Sequence, residues 1–431
     1  MDNKNVFIAI ALSLSVLLFW SAFFETPKPL NESLVQNQNI QKKNQSNNIT
    51  PNINESIKVD VVNRETSISK ASRIQIENEN VIGSISLTGA LIDDISFKNH
   101  KQDLKNGKNI EFLNPKETEN GFYVETGWTS IGNKIKVPTP DSIWSVDGNR
   151  LLNKNNPVIL KWKNGDGITF KKKIEIDEKY LFKISQEVKN STDSSVDLYP
   201  YAQITRNKIP DDIQNFYISH EGFIGVFDEE LKEDDYDDIQ DKKIVREADK
   251  GWFGITDKYW IAALVPKKGE NFKSTFLYKD GFKANYILNN PTTVNPSSTN
   301  SNEVKLFVAA KEAQTIDTYA AAEEIEKFDL AIDWGWFYFI VKPLFFAIDY
   351  FFKLTGNFGI AIILITACIR LAFFPLANYS FRSMAKMKVL QPEMMRLKEL
   401  HKDDKMKLQQ ETMALYKKEK VNPVSGCLPV F

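Results

Sequence analysis

Histidine and cysteine are almost missing from this chain: 431 residues include three His and two Cys. Both cysteines, Cys368 and Cys427, lie in apolar segments near the C-terminal end, so no disulfide framework supports the long middle region. His100 and His220 stand alone in that region. It carries no HExxH, no GxSxG and no Gly-rich phosphate loop, which excludes the zinc-hydrolase, nucleophile-elbow and P-loop chemistries that depend on them. The run Asp228–Asp241 holds nine carboxylates, yet it lacks the alternating Asp order and glycine of an EF-hand loop and reads as a solvated insertion. No cofactor and no metal are expected. A buried carboxylate pair for glycoside or epimerase chemistry stays open, because the sequence does not show which side chains meet.

Two long apolar runs are present, near the two ends. Val6–Phe24 has 19 residues without a charge. At about 1.5 Å per residue it reaches roughly 28 Å, close to the thickness of a bilayer core. It exceeds the apolar stretch of a cleaved signal peptide and no small-x-small cleavage site follows, so it reads as an anchor, with Trp20 near its outer end. Phe358–Leu376 is the second span, interrupted only by Arg370. Net charge is −1, but it is unevenly placed: from Ser380 onward there are eleven Lys/Arg against six Asp/Glu, whereas 25–369 carries 42 basic and 49 acidic residues. Basic residues close behind a membrane segment mark its cytoplasmic side. The second span therefore runs outward to inward, and the chain between the two spans is translocated, which in a bacterium means the periplasm.

The middle divides in two. Thr26–Lys58, rich in Asn, Gln and Ser, has little to bury and reads as a disordered linker. From about Val59 to Asp317 short alternating stretches predict an antiparallel sandwich: 73–77, 82–87, 158–163, 168–176, 180–188, 196–205, 260–265, 272–278 and 304–309. Asn164-Gly165-Asp166-Gly167 is a strong hairpin turn between two of them.

Asp329–Leu354 crowds aromatics, among them Trp334, Trp336, Phe337 and Tyr338, while Asp333, Lys342 and Asp349 leave a polar edge and Pro343 kinks any helix. This fits an amphipathic helix in the outer membrane interface better than a third span, which would put the basic stretch outside.

Arg370 sits within its span, where a charge is costly and must be accommodated. It is about six residues, roughly 9 Å, from the cytoplasmic end. Snorkelling and a water-filled groove both fit, with Thr366 one turn earlier on the same face. Ser380–Lys420 reads as two amphipathic helices, with Pro392 near the start of a turn in the first arm and His401–Asp404 at the tip. Six of the seven methionines are here: Met384, Met387, Met394, Met395, Met406 and Met413. They suit an adaptable surface that takes varied partners, or an ordinary coiled-coil core with Met406/Met413 and Leu408/Leu415 at heptad spacing.

GNFGIAIILITACIRLAFFPL, then SMAKMKVLQPEMMRLKE, then MALYKKEKVNPVSGCLPVF, closely resembles the second membrane segment and cytoplasmic hairpin of the YidC family of membrane protein insertases. The match covers about Gly356 to Phe431, and the layout before it matches the Gram-negative type more loosely. The resemblance implies a multi-pass protein of the bacterial inner membrane. Its periplasmic β-supersandwich, over 59–317, is similar to sugar mutarotases. The resemblance further implies a partial α-helical insertase core and no catalysis. Arg370 matches the family's groove arginine. Nascent membrane proteins, the Sec translocon, ribosomes and the lipid bilayer are the implied partners, with no small-molecule substrate. Around that domain the expected units are the anchor (1–25), the linker (26–58), a helical linker with the interfacial helix (318–355), the second span (356–379) and the hairpin (380–422). The start of a third span (423–431) follows, too short to cross, so the chain is expected to be a fragment that fails as an insertase alone. The alternative is a membrane-anchored carbohydrate-binding or epimerase-like protein in which the β domain does the work.

Overall fold

A computed structural model describes residues 61–103, 107–133, 135–211, 213, 219–402 and 404–419. The anchor expected over 1–25, the linker over 26–58, Cys427 and the segment 423–431 lie outside the described residues.

Two sheets, antiparallel except where Arg73–Glu77 pairs in parallel with Leu151–Leu152, pack face to face over one continuous apolar core. The nine-stranded sheet runs in the order 230–234, 222–227, 251–256, 260–266, 299–310, 181–190, 168–176, 158–163 and 145–147. The eleven-stranded sheet centres on the long strand Val196–Arg206, which pairs with Phe122–Thr129 on one side and with Phe282–Leu288 on the other. Period-two patterning sets the register. In Ile168–Ile176 the side chains of Ile168, Phe170, Lys172, Ile174 and Ile176 turn inward and are buried, while those between them are half-buried or exposed. The hairpin expected at Asn164–Gly167 is present. Asn164 accepts from the amides of Asp166 (2.7 Å) and Ile168 (3.0 Å), and Gly165 and Gly167 take positive φ of 89° and 88°.

The acidic run is solvated, as its sequence suggests: eight of its nine carboxylates are exposed. It nonetheless forms the edge strand Glu230–Asp234 and the short helix Tyr236–Asp241. Tyr236 and Ile239 are buried, and the one buried carboxylate, Asp234, accepts from Arg246 at 2.8 Å.

Helices follow the sandwich. Ala313–Ala322 buries Ile316 and Tyr319 against the core, and a 3-10 turn, Phe328–Ala331, buries Phe328 beside Trp252. Then come Tyr338–Thr355, Phe358–Leu400 and Lys405–Lys418. Phe358–Leu400 is a single 43-residue helix, roughly 65 Å at about 1.5 Å per residue. Pro392 lies inside this helix, where the sequence suggested a turn. Pro forfeits one hydrogen bond, and neighbours such as Glu393, Met394, Met395 and Leu397 carry the helix through.

Candidate functional site at the membrane-facing helices

Past the sandwich, the apolar surface turns outward. No residue of Tyr338–Thr355 is buried, and Trp336, Phe337, Phe339, Ile340, Tyr350 and Leu354 are exposed. A water-soluble domain does not leave such a patch bare, whereas an interfacial helix presents it to lipid. Trp334, Trp336 and Phe337 lie just before the helix, not in it, and only Tyr338 of the four expected aromatics is helical. Trp334 also differs in environment. It is 9% exposed against 82% for Trp336, its indole donates to the Asp329 carbonyl (3.1 Å), and its ring meets Phe345 edge-on.

The polar edge is held by the β domain's last segment. Lys342 Nζ donates to Asp329 (2.8 Å) and Asp317 (3.0 Å) and lies near the rings of Trp334 and Tyr338. Burial pulls this ammonium down, but the hydrogen bonds to both carboxylates outweigh it and push its pKa above the ordinary lysine value. Asp329 is the mirror image. Burial lifts it, yet Lys342 and Tyr338 as donors bring it below the ordinary carboxylate value. Asp349 accepts from Gln314 of the helix Ala313–Ala322 and from Lys353 at 2.8 Å. The sequence showed Lys342 and Asp349 as a polar edge but not their partners 13 to 35 positions away. A Lys in the middle of an aromatic run was the available signal.

Gly356 closes the helix in the left-handed region, φ 67°, its amide reaching the Phe352 carbonyl at 2.7 Å. Asn357 then caps the next helix through the amides of Gly359 (2.9 Å) and Ile360 (3.2 Å). Phe358–Leu400 is the one described helix long and apolar enough to cross a membrane. Along it Ile360, Ile362, Ile363, Leu371, Phe373 and Phe374 are exposed, and Ala361 is buried. Arg370 and Thr366 share a face and are both exposed; the Thr366 hydroxyl donates to the Ile362 carbonyl (2.7 Å), so it is committed to its own helix.

The methionines separate into two sets. Met387 and Met394 are half-buried with Leu390 and Leu397, a three-four spacing that faces Leu408, Thr412 and Leu415 of the second arm, and the Tyr416 hydroxyl meets the Met394 sulfur at 3.2 Å. Met384, Met395, Met406 and Met413 are exposed. The heptad pairing of the second arm therefore holds for Leu408 and Leu415 and fails for Met406 and Met413, which lie a residue or two off the seam.

Residues 73–347 match the family described as the YidC periplasmic domain, and 350–431 match the family described as the 60Kd inner membrane protein. The chain belongs to the YidC family of membrane protein insertases. Membrane protein insertase YidC of Pelagibacter ubique is 51% identical over 431 residues, all of this chain and 76% of that relative's length. Those of Rickettsia rickettsii (strain Iowa) and Brucella melitensis are 42% and 38% identical over all of this chain, covering 77% and 75% of their lengths. Among solved structures, a galactose mutarotase related enzyme from Lactobacillus acidophilus aligns with TM-score 0.40 at 11% identity, over 55% of this chain and 97% of its own. The family membership makes this a membrane protein with a periplasmic domain that inserts nascent membrane proteins, and not an enzyme. It replaces the carbohydrate-binding or epimerase-like alternative. The expected fold class holds: a large β-sandwich domain followed by helices.

Proposed function

We propose that insertion runs through a hydrated groove open to the cytoplasm in which Arg370 supplies a fixed positive charge, with Thr366 as a polar neighbour. The observation that carries this reading is the placement of both on one exposed face of the membrane-length helix. A guanidinium at that depth demands water or anions, and a polar stretch of an incoming chain demands the same. Threading that stretch along the groove lets its apolar neighbour slide sideways into lipid with no nucleotide hydrolysed. Lipid rests on the aromatic face around Trp336, Phe337 and Tyr338, with Trp334 packed beneath it. The exposed methionines Met384, Met395, Met406 and Met413 present adaptable side chains on a basic hairpin. That surface suits a nascent chain or the ribosome delivering it, and cooperation with the Sec translocon fits a multi-pass protein of the inner membrane working beside it. Arg370→Lys keeps a charge but loses the forked donors, so it retains more insertion than Arg370→Ala, most visibly for substrates with acidic translocated segments. Equal loss in the two variants, whatever the substrate's charge, counts against the groove.

A further inference from the structure

The helix Tyr338–Thr355 buries nothing of its own, so apolar packing alone does not fix how it leaves the β domain. What fixes it is polar. Lys342 bridges Asp317 on the helix Ala313–Ala322 and Asp329 on the 3-10 turn, with Tyr338 also donating to Asp329. Seven residues beyond Lys342, Asp349 reaches back to Gln314. Two helical turns on one face are therefore tied at two points to one short segment. That segment is itself rigid: Ile316, Tyr319 and Phe328 are buried in the sandwich core, and the Tyr319 hydroxyl bonds Asp177. The Lys342 and Asp329 side chains are each 17% exposed, so that pair is better sheltered from salt than a fully exposed one. Trp334, packed under Phe345 beside the ammonium, closes the joint on the apolar side.

We infer that Lys342 is a positioning residue for insertion: its bridge to Asp317 and Asp329 sets the angle and depth at which the interfacial helix meets the bilayer, and through the two-residue link Gly356–Asn357 the placement of the Arg370 helix. The inference rests on the interfacial reading of Tyr338–Thr355 given above. Because the link between the two helices is so short, a tilt of the first is passed to the second. Replacing Lys342 by Met keeps an aliphatic stem and removes the charge, leaving Asp329 and Asp317 without their cation. The interfacial helix then loses its fixed angle, while the β domain, whose core Lys342 does not enter, stays folded.

The test uses the whole chain reconstituted in vesicles, with Cys368 and Cys427 replaced by Ser and an environment-sensitive fluorophore at Ile340→Cys, quenched by lipids brominated at graded depths. Insertion of a reporter membrane protein is measured in parallel in cells depleted of their own insertase and carrying the full gene with each substitution. Expected are a defined quenching depth with Lys342, a shifted or broadened depth with Lys342→Met, and a several-fold drop in insertion at unchanged protein level. Lys342→Arg keeps both properties. Lys342→Glu is worse than Lys342→Met and is partly restored by Asp317→Lys, a rescue that a general loss of stability would not give. Absence of quenching with Lys342 in place removes the interfacial reading and the joint with it. Clear quenching whose depth, together with insertion, is the same for Lys342, Lys342→Met and Lys342→Glu leaves the interfacial reading standing and overturns the joint.

Discussion

The β domain and the helices after it solve opposite problems. In the sandwich most large apolar side chains are buried and even charges are drawn inside: Arg73 pairs with Asp93, and Lys172 is buried with its ammonium on the Thr126 carbonyl and near the Trp144 ring. In the helices Tyr338–Thr355 and Lys405–Lys418 no residue is buried, and aromatics and methionines face outward. A domain that buries its apolar side chains and pairs the charges it draws inside stays folded without a partner. Helices that leave apolar side chains exposed are built to be covered by something else, in the proposed reading lipid and substrate. Function therefore belongs to the second region, and the first matters to it through the joint at Lys342.

Deletions test this division most severely. Removing residues 61–310 keeps Asp317, Asp329 and Lys342 on one retained segment but takes away the core that holds Ile316, Tyr319 and Phe328, so insertion should persist at a reduced level. Extending the deletion through Asp329 removes both acceptors and should abolish insertion, as should deleting Ser383–Lys418, with the protein still found in the membrane fraction. Equal activity of the two N-terminal deletions would remove the reason for separating the joint from the domain.

Photocrosslinking gives the next largest contrast. Probes at Met395, Met406 or Met413 should capture a stalled nascent chain or a ribosomal component, whereas probes at Met387 and Met394 should crosslink chiefly to the second arm. The reverse pattern would mean that the arms separate to work.

A smaller effect lies within the β domain. Burial lowers the Lys172 pKa to about 7, with Glu125 only partly opposing this. The folded value is below the unfolded one near 10.5, so the unfolded chain binds more protons between those limits and stability rises with pH across that window. Lys172→Met should flatten that rise, read by thermal unfolding of the full chain between pH 6 and 9. An unchanged slope would mean that Lys172 reaches water.

Much of this was legible because local pattern and environment agree. The alternating strands, the Asn164–Gly167 turn, the membrane-length run and the basic arm each state their setting within a few residues. Leu91–Lys101 did not read as a strand, since Asp93 and Asp94 interrupt it; they are buried only because Arg73 and Arg64, some 20 to 30 positions away, neutralise them. Lys342 was hidden for the same reason. Its meaning depends on Asp317 and Asp329, and no periodicity records a tertiary ion pair. The methionine division between Met394 and Met406 needed the register of two helices, which heptad spacing within one arm leaves undetermined.

The most direct measurement is water access at position 370. With Cys368 and Cys427 replaced by Ser and Arg370→Cys introduced into the full gene, a charged, membrane-impermeant maleimide is applied from the cytoplasmic side. Two further single-cysteine variants, Leu371→Cys and Ala372→Cys, turned about 100° and 200° away from Arg370 around the helix, serve as lipid-facing references. A hydrated groove predicts fast labelling at 370, slow labelling at both references, and protection at 370 when a substrate chain is stalled on the insertase. Labelling at 370 no faster than at 372 would contradict it and leave Arg370 a snorkelling side chain without a role in transport.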